Sequence, residues 1–196
     1  MGDIKSAREI AEEKLARIGE ATEEERLKWQ YVPEGEKLGG KYIKEKVNLV
    51  VELEPYEAKA RKYIVEGAGD ILLRNINLPK DDIAKRNNRR AMDGLKTLKS
   101  DKVGVENVYS KIRRIFGHYE QEGEQQKRQA YQTLKADFEA KVQQAIAQQL
   151  GPVTDFKVDV EKQPQFQEEW RRVQAQLDSQ YIRLLDEYKQ ELRAIP

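Results

Sequence analysis

His118 is the only histidine in the chain, and there is no cysteine. Disulfides, thiolate metal sites and cysteine nucleophiles are therefore excluded, as are histidine-rich metal sites and paired-histidine mechanisms. Ile115 stands three residues before His118, so the Glu-x-x-His pairs of di-iron bundles are absent. Flanked by Gly117 and Tyr119, His118 reads as a packed or surface residue rather than a catalyst. Gly67-Ala68-Gly69-Asp70 matches part of a dinucleotide-binding fingerprint, but it falls inside a helical pattern, and Leu72 occupies the third glycine position. Ser6, Ser100, Ser110 and Ser179 sit in no motif that would activate a nucleophile. Glu23-Glu24-Glu25 suits a helix start, where carboxylates meet the positive end of the macrodipole. The expectation is a protein that is not an enzyme, with no catalytic residue, no metal and no cofactor. A carboxylate enzyme using a divalent ion is the catalytic reading left over.

A second chemistry is phosphate contact. The chain carries 36 Lys and Arg against 35 Asp and Glu, yet residues 80–114 hold 11 basic and 5 acidic side chains. Lys85, Arg86, Arg89, Arg90, Arg113 and Arg114 could neutralise phosphates of RNA or DNA, as in a nucleic-acid or ribosome-associated factor. The simpler reading is a solvated helix face, or one that docks on an acidic part of the same protein. No aromatic residue falls between Tyr63 and Tyr109, so the stretch offers no base-stacking platform.

The elements that would position these groups are helices. Over 196 residues the apolar fraction is 38%, against a usual value of about 45–50%, and charged residues reach 36%, against about 25%. Ser6-Ala-Arg-Glu9 is a capping box leading into Ile10, Leu15 and Ile18, and Thr22-Glu-Glu-Glu25 repeats the pattern into a short helix through Trp29. Pro33 and Gly35 are expected to interrupt it. Leu38, Tyr42, Ile43, Val47 and Val50 suggest a third helix, although Val47–Leu53 could be a strand. Pro55 fits the first turn of the next helix, whose face runs Tyr56, Ala60, Tyr63, Ile64, Gly67, Ile71 and Leu72. Gly67 and Gly69 would let another backbone come close. Asp81 or Asp82 then caps a basic helix reaching about Leu98.

From Val105 to Leu150 the pattern allows one long helix, continuous or broken at Gly117 or Gly123, its stripe running Val105, Val108, Ile112, Ile115 and Tyr119, then resuming at Tyr131, Leu134, Phe138, Val142, Ala145 and Ile146. The lapse over Glu120–Gln129 implies a solvent-crossing arm or a hinge at Gly123. Gly151-Pro152 stops the helix, and Phe156-Lys-Val158-Asp-Val160 alternates as a short strand would. Pro164 opens the last helix, with the stripe Phe166, Trp170, Val173, Leu177, Tyr181, Leu184, Tyr188 and Leu192. At 1.5 Å per residue, a helix over 163–193 spans about 47 Å, longer than a compact sphere of this chain at roughly 40 Å. An elongated shape is expected.

The opening Met1-Gly-Asp-Ile-Lys-Ser-Ala-Arg-Glu-Ile-Ala-Glu-Glu-Lys resembles the start of small uncharacterised bacterial helical proteins of unknown function. The likeness covers about 15 residues, and it implies a bacterial cytoplasmic protein without a cofactor. The start lacks the apolar stretch of a signal peptide, and the most apolar window, Val47–Leu53, is broken by Asn48 and Glu52. The expected fold is mainly α: an N-terminal helical bundle over 1–116 and an elongated, coiled-coil-like antiparallel helical hairpin over 117–196, with one short strand near 155–160. The expected function is a cytoplasmic interaction or scaffold protein that self-associates or binds another protein through its long amphipathic helices, the last stripe forming the interface. Nucleic acid is the alternative partner, and no membrane is involved.

Overall fold

In the computed structural model of the chain, residue 6 and residues 21–45, 47–150 and 159–196 are described. They form a mainly α fold: α1 (Glu23–Glu45), α2 (Leu49–Leu53), α3 (Ala58–Arg74), α4 (Asp82–Leu98), α5 (Lys102–His118), a π-helical turn (Tyr119–Gly123), α6 (Glu124–Leu150), a 3-10 turn (Val160–Lys162) and α7 (Pro164–Ala194). The capping box at Ser6 and the helix expected after it lie outside the described residues. None of the described helices is long and apolar enough to cross a membrane.

Two units divide the chain. One holds the described residues up to Ile76 together with Arg86–Lys102 and Ile195–Pro196. The other is built from Asn77–Lys85 and Val103–Ala194.

In the first unit, Thr22 opens α1 with the expected reciprocal cap. Its hydroxyl accepts from the Glu25 N–H at 3.2 Å, and the Glu25 carboxylate accepts from the Thr22 N–H at 2.9 Å. The helix then runs straight through Pro33, where the sequence suggested a break. Proline removes one ladder hydrogen bond and crowds the preceding turn, so packing must offset that cost. Its source is the crossing of α1 on α3, where Gly35 and Gly67 bring the two backbones into contact. A Cβ on Gly35 would lie 2.1 Å from the Ile64 carbonyl oxygen, and one on Gly67 would lie 2.2 Å from that of Val32. Around this crossing Leu38, Ile64, Ala68, Leu72 and Leu95 are buried. Val47–Leu53 is not a strand: Asn48 accepts from the Val50 N–H at 3.0 Å and starts the short α2. The start of α4 belongs to the second unit, and there Asp81 caps the helix by accepting from the Ala84 N–H at 2.7 Å.

The second unit is a helical hairpin. Its first arm is helical without interruption from Lys102 to Leu150, passing through the π-helical turn. Its second arm, α7, runs antiparallel, since contacts descend α7 as they climb the first arm. Lys111 meets Glu191 at 2.7 Å, Tyr119 and Tyr181 rings lie 5.1 Å apart, Tyr131 meets Trp170 at 5.0 Å, and Phe138 meets Phe166 at 5.4 Å. Edge-on ring pairs of this kind add roughly 0.5–1.5 kcal/mol each beyond their buried area.

Two expectations need correction here. Of the strand expected near 155–160, residues 155–158 lie outside the described residues, and the remaining end is no strand. Val160 instead opens the 3-10 turn, in which the Gln163 N–H donates to the Val160 carbonyl at 3.1 Å. Alternation over five residues buries Val160 equally well from a turn, and no strand among the described residues offers it an edge. The second correction concerns the polar lapse at 120–129, which is neither a solvent arm nor a break. Helix continues through it, and the hairpin interior at this level is filled by charged side chains.

Candidate functional site

The π-helical turn determines what happens at that level. One turn with wider hydrogen bonding shifts the face of the arm. Tyr119 at its start, in line with Ile112 and Ile115, is 1% exposed in the interior, and Gly123 lies against the Tyr119 and Tyr181 rings. Opposite lies Asp178 of α7, seven residues before the buried Leu185 and fourteen before the buried Leu192, on the line that faces the first arm. Asp178 is 3% exposed. The Tyr119 hydroxyl donates to it at 3.1 Å, the Lys127 ammonium lies at 3.0 Å, and the Lys80 ammonium at 2.6 Å. Lys127 also donates to the Tyr119 oxygen and lies 4.4 Å from that ring centre. No buried side-chain polar atom among the described residues is left without a partner.

The electrostatics of this cluster are those of a locked charge network. Burial pushes the Asp178 carboxyl up, but hydrogen bonds and charge from Lys80 and Lys127 outweigh it and hold the group below its ordinary value. Burial pulls Lys127 down, and the Tyr119 and Asp178 contacts more than reverse that, raising it. Burial chiefly raises Tyr119. Each group is pushed away from neutrality, so none is poised to exchange a proton near pH 7.

Two depressions flank the network. A cleft of about 710 Å³ opens beside it, with Lys80, Lys127, Arg128, Arg171, Tyr131 and Trp170 in its walls. On the other side, between α5 and α7, an apolar groove of about 620 Å³ is lined by Ile115, His118, Val173, Leu177, Tyr181 and Leu184. The His118 Nδ1 and the Tyr181 hydroxyl are 2.9 Å apart in the groove wall. Among the described residues no group of three or more His, Cys, Asp or Glu side chains could hold a metal ion.

The expected interface stripe is distributed between these surroundings. Phe166 and Leu192 are buried, while Trp170, Tyr181 and Tyr188 are half-buried against the first arm. Val173 and Leu177 are half-buried along the groove, and Leu184 at 42% is exposed there. The six basic residues are divided between the two units. Lys85 belongs to the second unit and pairs with Glu120 at 2.8 Å. Arg86, Arg89 and Arg90 belong to the first unit. Arg90 donates to the Ile43 carbonyl at 2.6 Å, covering the C-terminal end of α1. Arg113 pairs with Glu106, and Arg114 is exposed at the groove. Arg90→Ala is expected to lower the stability of the first unit by about 1.5 kcal/mol, the scale of a charge-assisted hydrogen bond. Urea unfolding followed by Trp29 fluorescence measures it.

Asp178, Lys127 and Leu185 were not singled out from sequence. Leu184 and Leu185 are both apolar, and the line through Leu184 also contains Leu177, so the neighbouring line through Asp178 and Leu185 looked polar. The signal was there: Asp178 keeps the seven-residue spacing to Leu185 and Leu192, and Lys127 falls in the lapse of the opposing stripe.

Residues 50–194 match the model of a family of unknown function, DUF6657. The chain belongs to DUF6657. The DUF6657 segment begins inside α2 and takes in α3 to the end of α7, so the whole charge network and both depressions lie within it. No curated protein and no solved structure matches the chain.

Proposed function

We propose that this DUF6657 chain is a non-enzymatic helical interaction module, which holds a protein partner against the α5–α7 side of its hairpin. The observation that carries this reading is the apolar groove, in which Val173, Leu177 and Leu184 of α7 remain accessible over the buried Ile115 of α5, beside a rim of glutamines. Leucine and valine lines spaced along an open groove suit the apolar face of an amphipathic helix. The locked charge network supports the same reading, because its groups fix the register of the two arms and offer no proton near neutrality. A coiled-coil-like association, a cytoplasmic setting and a bacterial origin belong to this proposal, the last two resting on the N-terminal resemblance. The nucleic-acid alternative draws less support, since Lys85, Arg90 and Arg113 are engaged by Glu120, a main-chain carbonyl and Glu106.

Leu177→Asp is the test. It places a carboxylate in the groove at a half-buried position, so the fold should persist while binding weakens by about tenfold or more. The measurement compares proteins retained from cell extract on wild type and on the variant, followed by titration with the purified partner. A partner held equally by both overturns the reading.

A further inference from the structure

α7 carries a face that no described residue of the second unit covers. Glu168, Arg172, Ala175, Ser179, Ile182 and Asp186 follow one another at spacings of four, three, four, three and four along it. Every one of them is exposed, Ile182 at 44%. The shallow depression over this face is lined by α7 residues alone, from Ala175 to Gln190. The face turned to the first arm is a different one, carrying Asp178, Leu185 and Leu192. The outer residues therefore form a second heptad line, with small and apolar side chains at its centre and charges at its ends.

The order of those charges selects an occupant. Moving outward from Ser179 toward the N-terminus, the chain presents Arg172 and Arg171, then Glu169 and Glu168. Moving the same distances toward the C-terminus, it presents Asp186 and Glu187, then Lys189. A second copy of α7 laid antiparallel about a two-fold axis at Ser179 therefore sets Arg172 opposite Asp186, Arg171 opposite Glu187 and Glu169 opposite Lys189. Ala175 then meets Ile182 on either side of the axis, and the small Ser179 side chains let the helices approach. A parallel pairing in register would instead set Arg172 on Arg172 and Asp186 on Asp186, which repel. In the single chain these charges are held by neighbours one turn away, Arg172 by Glu169 at 3.3 Å and Glu168 at 3.9 Å, Glu187 by Arg183 at 3.5 Å and Lys189 by Asp186 at 3.4 Å. Exchanging such pairs for interchain ones loses little.

We infer that two copies of this chain pair antiparallel along the outer face of α7, about a two-fold axis at Ser179. The inference builds on the reading of the hairpin as an interaction module and adds a second copy as a partner, on a face separate from the groove. Such an isologous contact closes on itself and stops at a dimer.

The absence of cysteine makes the pairing directly testable in the full chain. Arg172→Cys and Asp186→Cys are prepared separately and treated, alone and mixed, with a short thiol-reactive cross-linker. In the antiparallel dimer the two thiols of the mixture are adjacent, while like thiols lie about 21 Å apart along the helices. The expected result is a cross-linked dimer about tenfold more abundant in the mixture than with either variant alone, and diminished by salt. Equal cross-linking of each variant with itself overturns the antiparallel register, and a mixture that stays monomeric overturns the pairing. In either case the groove reading stands or falls separately, on Leu177→Asp and its partner.

Discussion

Gly67→Ala is expected to unfold the first unit or to leave it barely folded. The added methyl would lie 2.2 Å from the Val32 carbonyl oxygen and 3.0 Å from the Glu36 nitrogen, both main-chain atoms of α1. A flexible side chain could swing away, but a helix backbone cannot, so α1 and α3 must separate along the crossing. Overpacking of this kind costs about 3 kcal/mol or more, a large part of the roughly 5–15 kcal/mol that stabilises a domain. Gly35→Ala should behave alike, because its methyl would meet the Ile64 main chain at 2.1 Å. Gly40 in the same helix is the control: nothing lies within 4 Å of its Cβ position, and alanine there should stabilise α1 by about 1 kcal/mol. The two tryptophans separate the readout. Trp29 lies in α1 and Trp170 in α7, so Trp→Phe variants let urea unfolding be followed unit by unit. The Trp29 transition should collapse in Gly67→Ala. An unchanged midpoint would refute the backbone contact.

The same crossing shows where the sequence was legible and where it was not. The capping pair at Thr22 and Glu25, the Asp81 cap and the apolar stripes of α5, α6 and α7 could all be read directly, because each depends on residues within one or two turns. Pro33 was read as a break because a local rule says so. What overrides it is a contact between Gly35 and residues some thirty positions away, which no local pattern contains. Gly67 was legible as a place of close approach, but its partner was not. The hairpin interior failed for a related reason. Lys127 and Asp178 are polar in isolation, and only the pairing of the two arms turns them into core residues.

Asp178→Ala is expected to cost the hairpin about 3–5 kcal/mol, the loss measured when one member of a buried ion pair is removed. The carboxylate is 4% exposed and the Lys127 side chain 12%, so the variant leaves an ammonium in the interior with the Tyr119 oxygen and, at 3.4 Å, the Glu124 carboxylate as its partners. Asp178→Leu combined with Lys127→Met should be far milder, near neutral, because it removes both charges together. A double variant as damaged as the single one would show that the network is not the source of the loss.

The pH dependence follows from the same groups. Asp178 is depressed in the folded chain, so its contribution is complete above the unfolded value near ~4 and disappears as pH falls through the folded value. Lys127 and Tyr119 are raised, so their contributions are complete below their unfolded values near ~10 and vanish as pH climbs through the folded ones. Hairpin stability, followed by Trp170 fluorescence in urea, should be level between about pH 5 and 9 and fall on both sides. Asp178→Ala should shrink the acid limb, leaving the part carried by Asp159 and Glu161, which Lys162 and Lys135 hold below their ordinary values.

Within the first unit, the residues that precede the hairpin in sequence are bonded to those that follow it. The Ser100 N–H donates to the Pro196 carbonyl at 2.9 Å, and the Lys99 ammonium to that of Ile195 at 2.5 Å. The hairpin is thus inserted into the first unit's sequence, leaving after Lys102 and rejoining at Ile195. Its two arms are tied at their base as well as by Asp178, so the entropy of closing this long excursion is borne once, at a short tether. Matched deletions or insertions in both arms would change its length and leave those bonded residues untouched. In that sense the length of the hairpin is free to vary, and the charge network is the fixed mark from which its register is counted.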